Sequence, residues 1–278
     1  MEKIAIIADD FGASSEINDA IQEAFEKGAL TGASTIMNAP RSDEAIYYLK
    51  THHGLSPGIH LNLTSGAPIS HPAHVPSLTR KNGTFFPPAE FFLRLYTSRI
   101  RYAHILTELE NQCCLFKNAE LQAHFVNGHH YIHALPAIAR MIKDLCVKYK
   151  IPQVILPVFG IYVRKRKTSS MILTSFAAAS AKVFDGSPIK TNEHYVDFAE
   201  LENGDYLRIV SQILNTKRQG SLVFCCHPSR ARTPAPPHPL TSAPMNFLHR
   251  PHNRSQHLKI LTDPNFVEMI KPFLHRES

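Results

Sequence analysis

Apolar and polar positions along this chain alternate between a strand rhythm and a helix rhythm. Lys3–Ala8 (KIAIIA) is a short apolar run, as a strand buried on both faces would be. Asp9, Asp10, Phe11 and Gly12 follow, and Ser14 or Ser15 is placed to cap a helix. From there Ile17, Ala20, Ile21, Ala24 and Phe25 fall on one helical stripe, and Gly28 is a stop signal. Ala33–Met37 reads as the next strand. The unit is β–α–β, so its two strands are expected to run parallel.

The rhythm continues. Gly58–Thr64 (GIHLNLT) alternates strictly, with Ile59, Leu61 and Leu63 on one face and His60, Asn62 and Thr64 on the other. Residues 65–88 hold five prolines and predict a loop. Helical character returns over about Ala89–Phe116, and His124–Gly128 looks like a strand end. Pro136 opens a helix with Ile138, Met141, Ile142, Leu145 and Cys146 on its stripe. Val154–Val158 is a strand candidate. Asp205 caps a helix ended by Gly220, and Ser221–Cys226 is a strand running into His227-Pro228. Residues 228–251, with seven prolines, predict a second long loop. Strand and helix alternate throughout with no internal boundary, which predicts a parallel α/β fold in a single domain over 1–278.

Composition narrows the class. At 44% apolar in 278 residues the chain can bury a sizeable core. No apolar run is long enough for a membrane span; the longest candidate, Met171–Ala181, is interrupted by Thr and Ser. The acidic start and early strand argue against a secretory signal, so a soluble, cytoplasmic chain is expected. The net charge of +7 is modest, and its tightest cluster, Arg164–Lys167, reads as a solvated loop, so no nucleic-acid partner is expected. The five cysteines include two vicinal pairs and no C-x-x-C, against a disulfide framework or a thiolate zinc site. The pattern leaves a homodimer open. Histidine is over-used, at 17 residues.

The residues able to carry chemistry share one predicted location. Asp9 and Asp10 follow the first strand, His60 lies in the alternating one, His129, His130 and His133 follow the strand ending near Gly128, and His227 follows the last. In a parallel α/β barrel those strand ends open on one rim. Asp10, His60 and His129 offer one carboxylate and two imidazoles, a ligand set for a divalent metal ion such as Mg²⁺ or Zn²⁺. Asp9 is then placed to accept a proton from water and His227 to protonate a leaving group. Each piece has a plainer alternative: Asp-Asp caps a helix, His60 is a satisfied core histidine, His227 a turn residue. The histidine group lacks HExxH spacing, which excludes a zincin.

Several stretches together resemble the YdjC-like carbohydrate deacetylases. They are A-D-D-F-G at 8–12, I-N-x-A-I at 17–21, G-I-H-L-N-L-T at 58–64, E-L-E-N-Q at 108–112, V-N-G-H-H-Y-I-H-A-L-P at 126–136 and C-H-P at 226–228. The resemblance implies a distorted TIM-like (β/α) barrel and removal of an N-acetyl group from an amino sugar with a divalent metal. It places Asp10, His60 and His129 on the metal-ligand positions, Asp9 on the base and His227 on the assisting acid. The chain departs from the pattern at Tyr131, where a histidine is usual, at Ile155, where an arginine is usual, and at His257, where Arg254-Ser-Gln-His257-Leu258 replaces R-x-x-E-L. Two rivals remain: an esterase or phosphoesterase on the same site, with Arg164–Lys167 as a phosphate-binding group, and a carbohydrate-binding protein with weakened chemistry.

Overall fold

The computed structural model describes residues 4–158, 168–202, 204–230 and 253–274; the Arg164–Lys167 cluster and most of the 228–251 segment lie outside them. Its strands are β1 (Ile4–Phe11), β2 (Gly32–Thr35), β3 (Ser56–Leu61), β4 (Phe125–Gly128), β5 (Gln153–Val154), β6 (Lys190–Thr191), β7 (His194–Asp197) and β8 (Leu222–Cys226). The helices are α1 (Ser15–Glu26), α2 (Ser42–Thr51), α3 (Pro88–Tyr96), α4 (Tyr102–Asn118), α5 (Pro136–Tyr149), α6 (Thr168–Phe184), α7 (Tyr206–Asn215), α8 (Arg254–Leu261) and α9 (Pro264–Ile270). None is long and apolar enough to cross a membrane.

The eight strands form one sheet in the order β6-β5-β4-β3-β2-β1-β8-β7, every pair parallel. β6 and β7, at opposite ends of that order, belong to one segment interrupted only by Asn192 and Glu193. The sheet therefore curls until its two edges meet, giving the distorted TIM-like barrel. Asn192 seals the junction: its Oδ1 accepts from Leu156 N at 2.7 Å and its Nδ2 donates to Leu156 O at 2.9 Å.

Period-two alternation sorts the side chains. Ile4, Ile6, Ala8, Leu222, Phe224 and Cys226 pack outward against the helices, while Ile7, Phe125, Ile155, Tyr195, Val223 and Cys225 fill the barrel interior. Gly58 is required here, because a Cβ on it would meet the Phe125 ring at 2.3 Å. Outside the sheet the predicted stripe of α1 is buried at Ile17, Ala20, Ile21 and Ala24, with Phe25 half-buried, and Ser14 caps the helix by accepting from Ile17 N at 3.3 Å. Such a cap contributes about 1 kcal/mol.

The structure departs from the sequence reading in several places: β2 and β3 end at Thr35 and Leu61 rather than at Met37 and Thr64, and α7 ends at Asn215, before Gly220. The segment Ala89–Phe116 is two helices, broken where Ser98 takes the left-handed conformation at φ 58°. β5 is shorter than Val154–Val158, because Pro157 has no N–H and Asn192 takes both backbone groups of Leu156. α2, α6, α8 and α9 and the short β6 and β7 are not among the predicted elements.

Candidate active site

The inward parity that places Ala5 and Ile7 inside the barrel carries Asp9 to its C-terminal mouth. Asp10 should face the opposite way. It instead has φ 67°, and the β1–β2 register shifts between Ala8 and Phe11. This bulge turns both vicinal carboxylates into one mouth. The loop beyond is fixed by Asn18, whose Oδ1 accepts from Gly12 N at 2.7 Å. Gly12 has φ 93°, and a Cβ there would lie 2.9 Å from Ser42 Cα.

Four other strands contribute inward residues to the same layer. Ser34 comes from β2, His60 from β3, Asn127 from β4 and Cys225 from β8, and all are buried. Asp9 Oδ1 accepts from Ser34 Oγ and from Asn127 Nδ2, both at 2.7 Å, and Oδ2 accepts from Cys225 Sγ at 3.0 Å. His227 follows β8, with its Nε2 3.8 Å from Asp9 Oδ2. Asn127 also ties Asp9 to His60: with its amide nitrogen on Asp9, its Oδ1 accepts from His60 Nδ1 at 2.7 Å. That hydrogen bond puts a proton on Nδ1 and turns Nε2 toward Asp10.

Asp10 gathers the second cluster. Its Oδ1 lies 3.0 Å from His129 Nδ1 and 3.4 Å from His60 Nε2, and its Oδ2 accepts from Arg254 of α8. One donor atom from each of Asp10, His60 and His129 lies within 4.8 Å of the others, and all three residues are buried. The donor chemistry fits a divalent cation. Burial works against ionising Asp10, but Arg254 and then His129, with hydrogen bonds from both histidines, hold its carboxyl well below the usual range. Burial likewise opposes charging His60, yet Asp9 and Asp10 together with the Asn127 contact raise its pKa. The pocket therefore favours positive charge at the place where the three donors meet.

The other histidines have different surroundings. His133 Nε2 donates to Ile155 O at 2.7 Å, and burial pushes its pKa down to about 3, so it is a neutral core histidine. His130 and Tyr131 are consecutive left-handed residues at φ 52° and 58°. His130 Nδ1 meets Thr64 Oγ1 at 2.9 Å, and Tyr131 donates to Asp197 Oδ2 at the end of β7 at 3.0 Å. The tyrosine that departs from the resemblance is thus tied to β7, where Asp197 is in register with Cys225.

Two supports escaped the sequence reading. Arg254 and His257, one turn apart on α8, each hold one part of the site: Arg254 pairs with Asp10, and His257 Nδ1 accepts from the backbone N of His227 at 2.9 Å. Glu202 Oε1 fixes that turn, accepting from Asn253 N at 2.7 Å and lying 2.9 Å from His257 Nε2. The only signal for them was the R-x-x-E-L likeness at 254–258. The E-L-E-N-Q stretch has a physical role as well. Buried Glu108 accepts from Ile69 N at 3.0 Å and Ser70 N at 2.9 Å, and Gln112 bonds both backbone groups of Asn62. Together they fasten the start of the 65–88 segment beside the mouth.

Known proteins are similar to this chain. The YdjC-like protein family matches residues 3–272. A carbohydrate deacetylase of Brevibacillus brevis is 32% identical over 63% of this chain and 68% of its own length. A carbohydrate deacetylase of Geobacillus stearothermophilus is 34% identical over 52% of this chain and 56% of its own. The chain thus spans little more than half to two thirds of these relatives. A solved structure from Enterococcus faecalis V583, named for cellobiose-phosphate cleavage, shares the fold with a TM-score of 0.74 at 20% identity, over 99% of this chain and 97% of that one. With a family match that runs from β1 through the end of α9, this chain belongs to the YdjC-like proteins.

Proposed function

We propose that this protein is a hydrolase that removes an N-acetyl group from an amino sugar or related small carbohydrate, with a divalent cation held by Asp10, His60 and His129. The carrying observation is that two carboxylates and three imidazoles from four separate strand ends meet in one buried mouth. The names of the relatives support the substrate class.

When bound, a divalent cation supplies Lewis acidity, polarising the acetyl carbonyl and making a water proton easier to remove. The protein's residues do the rest. Asp9 accepts the proton of the attacking water; Ser34, Asn127 and Cys225 hold its two oxygens in one orientation for this. His227, on the Oδ2 side of Asp9, gives a proton to the departing nitrogen as the C–N bond breaks, releasing acetate and a free amine. His257 and Glu202 keep its backbone in place. Arg254 holds the Asp10 oxygen that faces away from the histidines. The five free cysteines suit a reducing compartment, and we assign the reaction to the cytoplasm.

The test is acetate release from N-acetylglucosamine oligosaccharides by chelator-treated protein given back Mg²⁺ or Zn²⁺. Asp9→Asn is expected to lose roughly 10²- to 10⁴-fold in turnover while retaining the cation. Wild-type rates in that variant, or phosphate release from phosphorylated sugars without acetate release, would overturn the assignment.

A further inference from the structure

Cys225 differs from the other cysteines in what it faces. Its neighbour Cys226 points to the helix side and contacts Ile7 O at 3.3 Å. Cys113 and Cys146 lie in the apolar cluster between sheet and helices. Cys225 alone of these has the inward parity, and its thiol donates to the Oδ2 of Asp9. His227 Nε2 approaches the same oxygen at 3.8 Å, and the sulfur, oxygen and nitrogen all lie within 4.8 Å of one another. Ser34 and Asn127 fix the other oxygen of Asp9, so Oδ2 is held toward this group. Among the described residues no Arg or Lys is within ion-pair distance of Asp9, and Ile155, just after β5, lies in the barrel interior. The carboxylate is therefore buried with neutral donors and imidazoles, and among the described residues no fixed cation touches it.

We propose that Asp9, Cys225 and His227 form a second cation site, selective for zinc-like thiophilic ions over magnesium, whose filling stops the reaction. A tetrahedral zinc with one sulfur and two N/O ligands needs donor separations of about 3.3–3.6 Å. The oxygen–nitrogen separation of 3.8 Å is near that value, and the sulfur–oxygen contact of 3.0 Å must open by roughly half an ångström. Thiolate ligation favours Zn²⁺ or Co²⁺ and disfavours Mg²⁺. On uptake the S–H bond breaks, the thiolate electron pair joins the metal, and the proton leaves to solvent. The inhibitory consequence rests on the roles proposed above for Asp9 and His227: with both ligated, neither acceptor nor donor is left for proton transfer. Filling the site should then slow hydrolysis by roughly 10²-fold or more.

The experiment titrates Co²⁺ into chelator-treated full-length protein while following bound metal and the near-ultraviolet thiolate-to-cobalt absorption. Wild type is expected to develop the band with its second equivalent, and His60→Ala/His129→Ala to keep the band while losing the other equivalent. Cys225→Ser should bind one equivalent without a band and resist excess zinc, measured against its own rate in magnesium. X-ray absorption on the wild-type protein, resolving a metal–sulfur distance of about 2.3 Å, reads the site even if the serine variant does not fold. No band in wild type, a band that survives Cys225→Ser, or equal zinc inhibition of both proteins overturns the proposal. A band without acetate release from any carbohydrate would overturn the functional reading and leave the cation site standing. Acetate release without a band would do the reverse.

Discussion

Asn127 is the side chain whose loss should reveal how the two halves of the mouth depend on each other. It is 5% exposed and makes two contacts of 2.7 Å, donating to Asp9 and accepting from His60. Asn127→Ala leaves a buried carboxylate oxygen and a buried imidazole N–H each one partner short. Hydrogen bonds to charged groups contribute about 1.5–3 kcal/mol. Ser34 reaches both atoms, at 2.7 Å to Asp9 Oδ1 and 3.2 Å to His60 Nδ1, and offsets part of the loss. The larger effect should be on orientation, because Asn127 sets the His60 tautomer that presents Nε2 toward Asp10. Removing such a partner of a metal-binding histidine typically weakens metal affinity about 10- to 100-fold, equivalent to about 1.4–2.7 kcal/mol. The assay is cation affinity by competition with a chelating indicator, paired with acetate release at saturating cation. Both should fall, since the same amide holds the proposed base. Affinity and turnover within about twofold of wild type would refute the coupling, because second-partner losses of the expected kind exceed that.

Two further outcomes follow. His60→Ala with His129→Ala should abolish stoichiometric cation binding at the Asp10 cluster, read by elemental analysis of the chelated and reloaded protein; unchanged content would remove the ligand assignment. In cation-free protein, Asp10 has a depressed folded-state pKa, so its share of stability is present above about pH 4 and is lost as pH falls through the folded value. His60 has a raised one, so its share is present below about pH 6.5 and is lost as pH rises through the folded value. Thermal midpoints measured against pH should therefore decline on both sides, and Asp10→Asn should flatten the acid limb; an unchanged acid limb would refute the contribution of Asp10.

The parity of the strands explains what the sequence could reveal of this mouth. In β3 the outward face is apolar and the inward face polar, so Ile59 and Leu61 mark His60 as facing the other way. In β1, β4 and β8 both faces are largely apolar, and alternation cannot be read until the strands are paired. That hid the inward positions of Asn127 and Cys225, although both lie in stretches that looked informative. Neighbouring residues of a regular strand face opposite sides, so only the bulge after Ala8 explains how Asp9 and Asp10 share one mouth, and no periodicity predicts a bulge. Arg254 reaches Asp10 from 244 positions away, beyond a proline-rich segment, where nothing local signals the contact. The broken helix at Ser98 and the shortened β5 have local causes, but each depended on a tertiary partner or a single left-handed residue.

The charge balance of the mouth ties these observations together. Asp9 and Asp10 are buried there, with Asp197 of β7 buried in register with Cys225 nearby, and the one fixed cation that touches Asp9 or Asp10 among the described residues, Arg254, is committed to Asp10. Asp9 is surrounded by a hydroxyl, an amide and a thiol, with imidazole nitrogens at 3.8 and 3.9 Å. Burying the second negative charge without a partner is costly. A fold that retains it must supply positive charge by another route, and His60, lying between the two carboxylates, is where the pocket accepts it. A proton there satisfies the balance in the cation-free protein, and the proposed divalent ion among Asp10, His60 and His129 would satisfy it without that proton. Ile155, which follows β5 into the barrel interior, brings no charge to the mouth, so the balance at Asp9 rests on its neutral donors and on His60, which the same Asn127 amide links to it.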